Sequence, residues 1–431
     1  MSSRFNHLAD WLSWMETLHP SEIDLGLDRV SLVAITLGLE AFINPRNTAP
    51  HFPKVVTVAG TNGKGSCVAL LEKFLITVDK AVGSYTSPHL LTYNERIKIN
   101  GNPVSDKCLC DAFARIDIAR GATSLTYFEF GTLAAFLLFQ QYKVDYWLLE
   151  VGLGGRLDAV NILPPDIAVI TSIAIDHESW LGNSREAIAS EKAGILRPKI
   201  PFVCAEADVP KSLQKIAQEL DVYGFHINQD FGCRVQHDGI EIYSVSHTQA
   251  LKLSSVNLPL PSVAAAWQVI SLLGLTLCPL EAAAVIEGFT LPGRFSPHHL
   301  SNGRLIFFDV AHNPAATVLL AEKLSGAEPE VKVAIVAMMA DKDIRGALKN
   351  LLKNIQHWYV ADLPDVPRAA QGERLAAVLM ELGVSDRNIT LCKTVAFGID
   401  RAQQQFDGSP LLVFGSFFTV AEAMTTIRRG E

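Results

Sequence analysis

The sequence predicts an α/β protein of two units, on three observations. A β-rich run at 54–59 meets a glycine loop and then a helical stretch at 66–78, the strand, loop, helix order of an α/β nucleotide site. Strand-like segments at 81–85, 146–151, 167–172 and 200–204 then alternate with helical runs, notably 128–142 and 185–195. That alternation predicts a mostly parallel sheet. After Leu291 the pattern restarts, with strand-like segments at 305–309, 332–337, 358–361, 389–392 and 411–415.

Between the two series, residues 223–253 alternate polar and apolar positions with few helix formers, as in 239–245, and predict a small antiparallel addition. The polar segment 296–303 reads as a linker or its immediate flank. A chain of 431 residues has room for two or three domains, each with its own core. The expected division is a first domain at 1–293 and a second at 294–431.

Composition narrows the classes. Apolar residues make up 49% and charged residues 19%, a balance that excludes disorder. A net charge of -8 argues against a broad footprint for nucleic acid or anionic lipid and favours small-molecule partners. Seven cysteines, with only Cys108 and Cys110 close together and no CxxC pair, point to a reducing, cytoplasmic setting. The N-terminus carries Asp10, Trp11, Trp14 and Glu16 where an export signal needs a continuous apolar core. Residues 253–280 lack charge, but Pro259, Pro261 and Pro279 interrupt them, so a buried helix is expected there rather than a membrane span.

The glycine loop carries the first chemistry. Gly60 to Ser66 read GTNGKGS: glycines let backbone N–H groups turn toward phosphate oxygens, the helix N-terminus adds partial positive charge, and Lys64 adds a mobile cation. The common pattern GxxxxGK[ST] is not met. Only two residues separate Gly60 from Gly63, and Gly65 stands between Lys64 and Ser66.

GTNGKGS is followed in order by TSPHL at 86–90, ERIKING at 95–101, FEFGTLAAF at 128–136 and EVGLGGRLDAVNI at 150–162. DHESWLG at 176–182, EKAGILRP at 191–198, LPGRF at 291–295 and DVAHNP at 309–314 continue the series. Together these motifs resemble the bacterial bifunctional dihydrofolate synthase/folylpolyglutamate synthases of the Mur ligase superfamily. The resemblance runs from about Ile23 to Ser416. It implies a P-loop-type, mostly parallel sheet domain followed by a Rossmann-like α/β domain that closes over ATP and binds glutamate. It also implies ATP-dependent ligation of L-glutamate to dihydropteroate and to reduced folates.

The implied chemistry starts from a carboxylate, a poor acyl donor until phosphorylation turns it into an acyl phosphate that the glutamate amine can attack. The resemblance assigns ATP to Thr61, Asn62, Gly63, Lys64, Gly65, Ser66, Ser262, Arg294 and Asp309. It assigns magnesium, as two ions, to Ser87, Glu150, His177 and Lys192, with Lys192 carbamylated and potassium as a further candidate cofactor. Catalytic roles fall to Lys64, His177, Lys192 and His312. The pterin is assigned to Ile23, Asp24 and Leu25, to Thr126, Tyr127, Phe128 and Glu129, and to Leu157, Asp158 and Ala159. Phe128 offers a flat stacking face, and Asp158 can accept from pterin N–H groups. Ser262 departs from the family, which usually has asparagine there. A serine reaches less far, which puts that nucleotide contact in question.

Two other readings compete: a monofunctional folylpolyglutamate synthase and another Mur-type ligase acting on a cell-wall precursor. The latter usually carries a separate domain before the ATP loop, whereas 59 residues precede Gly60. A monomer is expected, with neither nucleic acid nor membrane as partner.

Overall fold

A computed structural model describes residues 3–21, 23–43, 52–237, 239–245, 249–406 and 408–430. The chain divides into two units, Met1–Phe289 and Thr290–Glu431. The turn at 291–295 therefore belongs to the second.

Among the described residues the first unit has an eight-stranded sheet: β1 (Lys54–Ala59), β2 (Val82–Tyr85), β3 (Ile97–Ile99), β4 (Asn102–Pro103), β5 (Tyr146–Glu150), β6 (Ile167–Ile170), β7 (Pro201–Cys204) and β8 (Tyr223–His226). Their spatial order is β4-β3-β2-β5-β1-β6-β7-β8. From β2 to β8 every neighbouring pair is parallel, while β3 and β4 add an antiparallel edge. The chain leaves β1 to build β2 and β5 on one side and then crosses to β6 on the other. The C-terminal edge of β1 is thus a topological switch point, where open α/β sheets place their ligands.

Burial explains why these strands read as apolar runs. β1, β5 and β6 are covered on both faces, so no polar alternation survives in them. One cover is the helix Tyr127–Tyr142, buried continuously from Glu129 to Phe139, as expected of a helix apolar on all sides. Trp147 of β5 anchors this layer, stacked on Phe42 and Phe136 at centroid distances of 4.9 and 5.8 Å.

On the helix Leu260–Leu272, Trp267 meets Phe74 of the helix Lys64–Thr77 edge to face at 6.0 Å. The uncharged stretch therefore centres on a buried helix, with Pro259 at its N-cap and Pro261 in its first turn, and Pro279 opens the next helix. Among the described residues no helix is long and apolar enough to cross a membrane.

Two expectations need correction. The antiparallel addition is smaller than 223–253, because β8 pairs in parallel with β7 and completes the main sheet. Only β9 (Phe231–Gln236), β10 (Gly239–Ser244) and β11 (Leu251–Leu253) form the separate antiparallel sheet. Length and polarity could not separate an exposed edge strand from the addition that follows it.

The segment 296–303 is not simply a linker, for β12 (Ser296–His299) opens the second unit's sheet. It is an edge strand, where proline and polar residues are tolerated. The remaining strands are β13 (Leu305–Asp309), β14 (Val333–Val336), β15 (His357–Ala361), β16 (Ile389–Cys392) and β17 (Leu411–Phe414), in the order β12-β13-β17-β14-β15-β16, parallel from β13 onward.

The packing of Trp267 also supports the glycine loop, because the same helix carries Ser262. Trp267→Ala is expected to destabilise the first unit by about 3–5 kcal/mol, read as a lower urea midpoint for that unit's transition. An unchanged midpoint would show that this helix does not hold the core.

Candidate active site

The C-terminal ends of β1, β2, β5 and β6 lie along one edge of the sheet and deliver the glycine loop, Ser87, Glu150 and the 171–177 segment together. The loop is held from below by the exit of β6. Thr171 Oγ1 donates to Asn62 O (2.6 Å), Ser172 Oγ accepts from Asn62 N–H (2.9 Å), and Thr61 Oγ1 donates to Ala174 O (3.0 Å). With these contacts made, the N–H groups at the start of the helix Lys64–Thr77 need no reorganisation to meet an anion.

Gly63 sits at φ +84°, and a Cβ there would stand 2.4 Å from Ser262 Oγ. That Oγ donates to Gly63 O at 3.2 Å, and Ser262 is buried. The serine therefore braces the loop from behind. Lys64 Nζ lies along the loop, donating to Gly60 O (2.9 Å) and Thr61 O (3.3 Å). Ser66 Oγ is buried with no hydrogen-bond partner among the described residues, a hydroxyl available to a ligand at the loop.

Glu150 is buried at the end of β5. Its Oε2 would lie 3.4 Å from a Cβ on Gly65 and accepts from Ser87 N–H at 3.2 Å. The Ser87 loop is fixed in turn by Glu95, whose carboxylate accepts from the N–H groups of Leu90, Leu91 and Thr92 at 2.7–2.8 Å. His177 adopts a left-handed backbone at φ 53° and donates its N–H to Asp176 Oδ1 (2.8 Å). A left-handed histidine in such a loop is a strain of the kind that gathers at functional sites.

Lys192 is 3% exposed. Burial is the main cause that brings its ammonium down to about 7, aided by the charge of Lys64 and opposed by Asp176, Asp158 and Glu191. The loop after Glu150 docks on the helix Arg185–Ala193 that carries Lys192: Arg156 N–H donates to Glu191 O (2.8 Å), and Asn161 Nδ2 donates to O of the C-cap Gly194 (2.9 Å). Arg197 Nη2 closes the arrangement by donating to Asn161 Oδ1 at 2.8 Å.

Phe128 and Asp158 converge at Gly152, where a Cβ would stand 2.7 Å from the Phe128 ring and 3.3 Å from Asp158 Oδ2. Asp158 already accepts from the N–H groups of Leu153 (2.8 Å) and Val160 (3.0 Å), and burial pushes its carboxyl up to about 7. Gly152 N–H is a further backbone donor to the same carboxyl. Tyr127 lies beneath the Arg96 guanidinium, 5.5 Å from its ring centre. Thr126 and Glu129 form a capping box on the helix Tyr127–Tyr142. Ile23, Leu25 and Leu157 are half-buried, and Ala159 is buried.

In the second unit, Asp309 ends β13. Its oxygens accept from the N–H groups of Phe295 and Ala311, both at 2.8 Å, and burial raises its pKa against the pull of Arg294 and Lys323. Arg294 lies over the Phe417 ring at 5.2 Å. His312 Nδ1 donates to Val310 O (2.8 Å), which leaves Nε2 as the acceptor in the neutral ring. Asn313 caps the helix Pro314–Ser325. Lys323, which carries no motif, stands 5.7 Å from the Phe295 ring.

Sequence reasoning left Arg29, Glu95, Arg96, Asn161, Thr171 and Arg197 without roles. Four of these lie inside or beside the quoted motifs. Arg29 and Thr171 carried no such signal.

Among the described residues no three His, Cys, Asp or Glu side chains converge on one point. The carboxylate and hydroxyl oxygens at this edge suit a hard ion that keeps several waters, whereas the imidazole is a less usual ligand for such an ion and the lysine offers none as an ammonium.

The Mur ligase middle domain matches residues 58–266, and the Mur ligase glutamate ligase domain matches 293–417. The chain is 41% identical to the dihydrofolate synthase/folylpolyglutamate synthase of Escherichia coli K12, over 97% of this chain and 95% of that protein. It superposes on E. coli FolC in complex with DHPP and ADP with a TM-score of 0.89 at 39% identity, covering both chains fully. The Yersinia pestis bifunctional enzyme complexed with AMPPNP and Mn gives 0.88 at 40% identity, over 99% of this chain and 100% of that one. These matches define a Mur-type ligase. The chain belongs, within that class, to the dihydrofolate synthase/folylpolyglutamate synthase family.

The brace on the loop can be separated from the loop itself. Gly63→Ala forces a methyl onto Ser262 Oγ in a backbone region unfavourable to alanine, at a cost of about 1–3 kcal/mol. Gly63→Ala is expected to lower the melting temperature, and adding Ser262→Ala to restore part of it. A double variant no better than the single would show that the contact is not what constrains Gly63.

Proposed function

We propose that this protein ligates L-glutamate to dihydropteroate, forming dihydrofolate, and to reduced folates, forming folylpolyglutamates, at the expense of ATP. The observation that carries the reading is the convergence, on one sheet edge, of the stapled glycine loop, Glu150 and buried Lys192 with the Phe128–Asp158 cradle. The activities named for its relatives agree with it.

The loop N–H groups and Lys64 hold the triphosphate, and Ser262 acts through Gly63. Arg294 and Asp309 are assigned to ATP, and His312 to catalysis. Phe128 stacks on the pterin, with Asp158 at its N–H edge, while 23–25 and 157–159 complete the pocket. The pterin carboxylate attacks the γ-phosphorus in line and ADP leaves. The glutamate amine then adds to the acyl phosphate carbon, loses a proton and expels phosphate.

Magnesium, when bound, neutralises phosphate charge, and Ser87, Glu150, His177 and carbamylated Lys192 are the residues assigned to hold it. Burial, aided by the charge of Lys64, brings Lys192 toward the neutral amine. That form can add carbon dioxide and release a proton to give a carbamate anion, whose charge Lys64 and magnesium would offset against the neighbouring carboxylates.

Phosphate release should depend on glutamate with dihydropteroate and, separately, with a reduced folate. Lys64→Ala should abolish release in both assays with an unchanged circular dichroism spectrum. No release with either acceptor overturns the folate-ligase reading, activity with the reduced folate alone removes the synthase half, and turnover retained by Lys64→Ala refutes the role of that lysine.

A further inference from the structure

Arg29 lies in no motif, yet it ties together two of the segments assigned to the pterin. The first is 23–25, which has no regular structure and precedes the helix Asp28–Thr36. From that helix's first turn Arg29 reaches back. Its Nη1 donates to Asp24 Oδ2 (2.6 Å) and its Nη2 to Asp24 O (2.9 Å) and Glu129 Oε1 (3.1 Å).

The other oxygen of Glu129 accepts from Thr126 N–H at 2.7 Å, inside the cap of the helix that carries Phe128. One guanidinium therefore joins the 23–25 segment to the 126–129 turn. The contact is buried on one side: Glu129 is 3% exposed, and Arg29 Nε is buried with no hydrogen-bond partner among the described residues. His19 Nε2, 3.3 Å from Asp24 Oδ2, adds a further contact to the segment.

We infer that Arg29 is a positioning residue for the pterin-binding wall: it sets where 23–25 stands against the cap at 126–129. It thereby governs recognition of the flat heteroaromatic end of the acid, and leaves the phosphoryl-transfer groups alone. The inference rests on the substrate assignment made above. The fork geometry matters, because a lysine can compensate Glu129 but its single nitrogen cannot reproduce the two coplanar nitrogens that divide the contacts to Asp24 and Glu129.

Steady-state kinetics on the full-length enzyme, varying dihydropteroate and ATP in turn, test this. Arg29→Ala removes charge-assisted hydrogen bonds and should raise the KM for dihydropteroate about 10- to 100-fold, with kcat and the KM for ATP near wild type. Added guanidinium chloride, at concentrations below those that unfold the protein, should recover part of the loss. Arg29→Lys keeps the buried charge compensated and should fold even if the alanine variant does not. It should show the same selective rise, but smaller.

A dihydropteroate KM unchanged in both variants overturns the inference, as does a KM for ATP that rises in parallel. Wild-type turnover measured alongside separates the claims. A wild type inactive with every pterin acid overturns the functional reading and this inference together, whereas an active wild type with insensitive Arg29 variants overturns this inference alone.

Discussion

The site depends on one electrostatic constraint, the burial of Lys192 within the influence of Lys64 and the carboxylates of Asp176, Asp158 and Glu191. A cation so placed is costly in its charged form, and no single neighbouring carboxylate offsets desolvation together with repulsion from a second lysine. The surrounding structure fits that constraint. The 152–161 loop is fastened to the Lys192 helix and its C-terminal end through Arg156, Asn161 and Arg197.

Rigidity continues through the rest of the edge. Glu95 holds the Ser87 loop, residues 171–174 hold the glycine loop, and Ser262 braces Gly63. Each groups backbone donors or oxygen ligands before any substrate arrives, which is the form of preorganisation that phosphoryl transfer uses. The segment proposed for the pterin is built differently. At 23–25 it has no strand or helix of its own, and Arg29 hydrogen-bonds it to Glu129 of the 126–129 cap.

Much of this was legible in the sequence because its signals are local. The order of strand, glycine loop and helix announced the nucleotide edge, and apolar runs announced β1, β5 and β6, which are buried on both faces. The edge strands were not legible: β8 and β12 are short and partly exposed, and β12 carries Pro297 and two histidines. Within the site, residues inside motifs could be named, but Ser262 shows the limit of naming. Its identity suggested a weaker nucleotide contact, whereas its position behind Gly63 makes it a support of the loop. Arg29 and Thr171 escaped notice because Glu129 and Asn62, the partners through which they join separate segments, lie 100 and 109 residues away in sequence, distances that no periodicity reports.

The state of Lys192 is the central claim, and carbon-13 NMR of the enzyme equilibrated with labelled bicarbonate addresses it directly. A carbamate resonance in the wild-type protein that is missing from Lys192→Arg is the expected result. No such resonance, or one that persists in Lys192→Arg, would contradict the account.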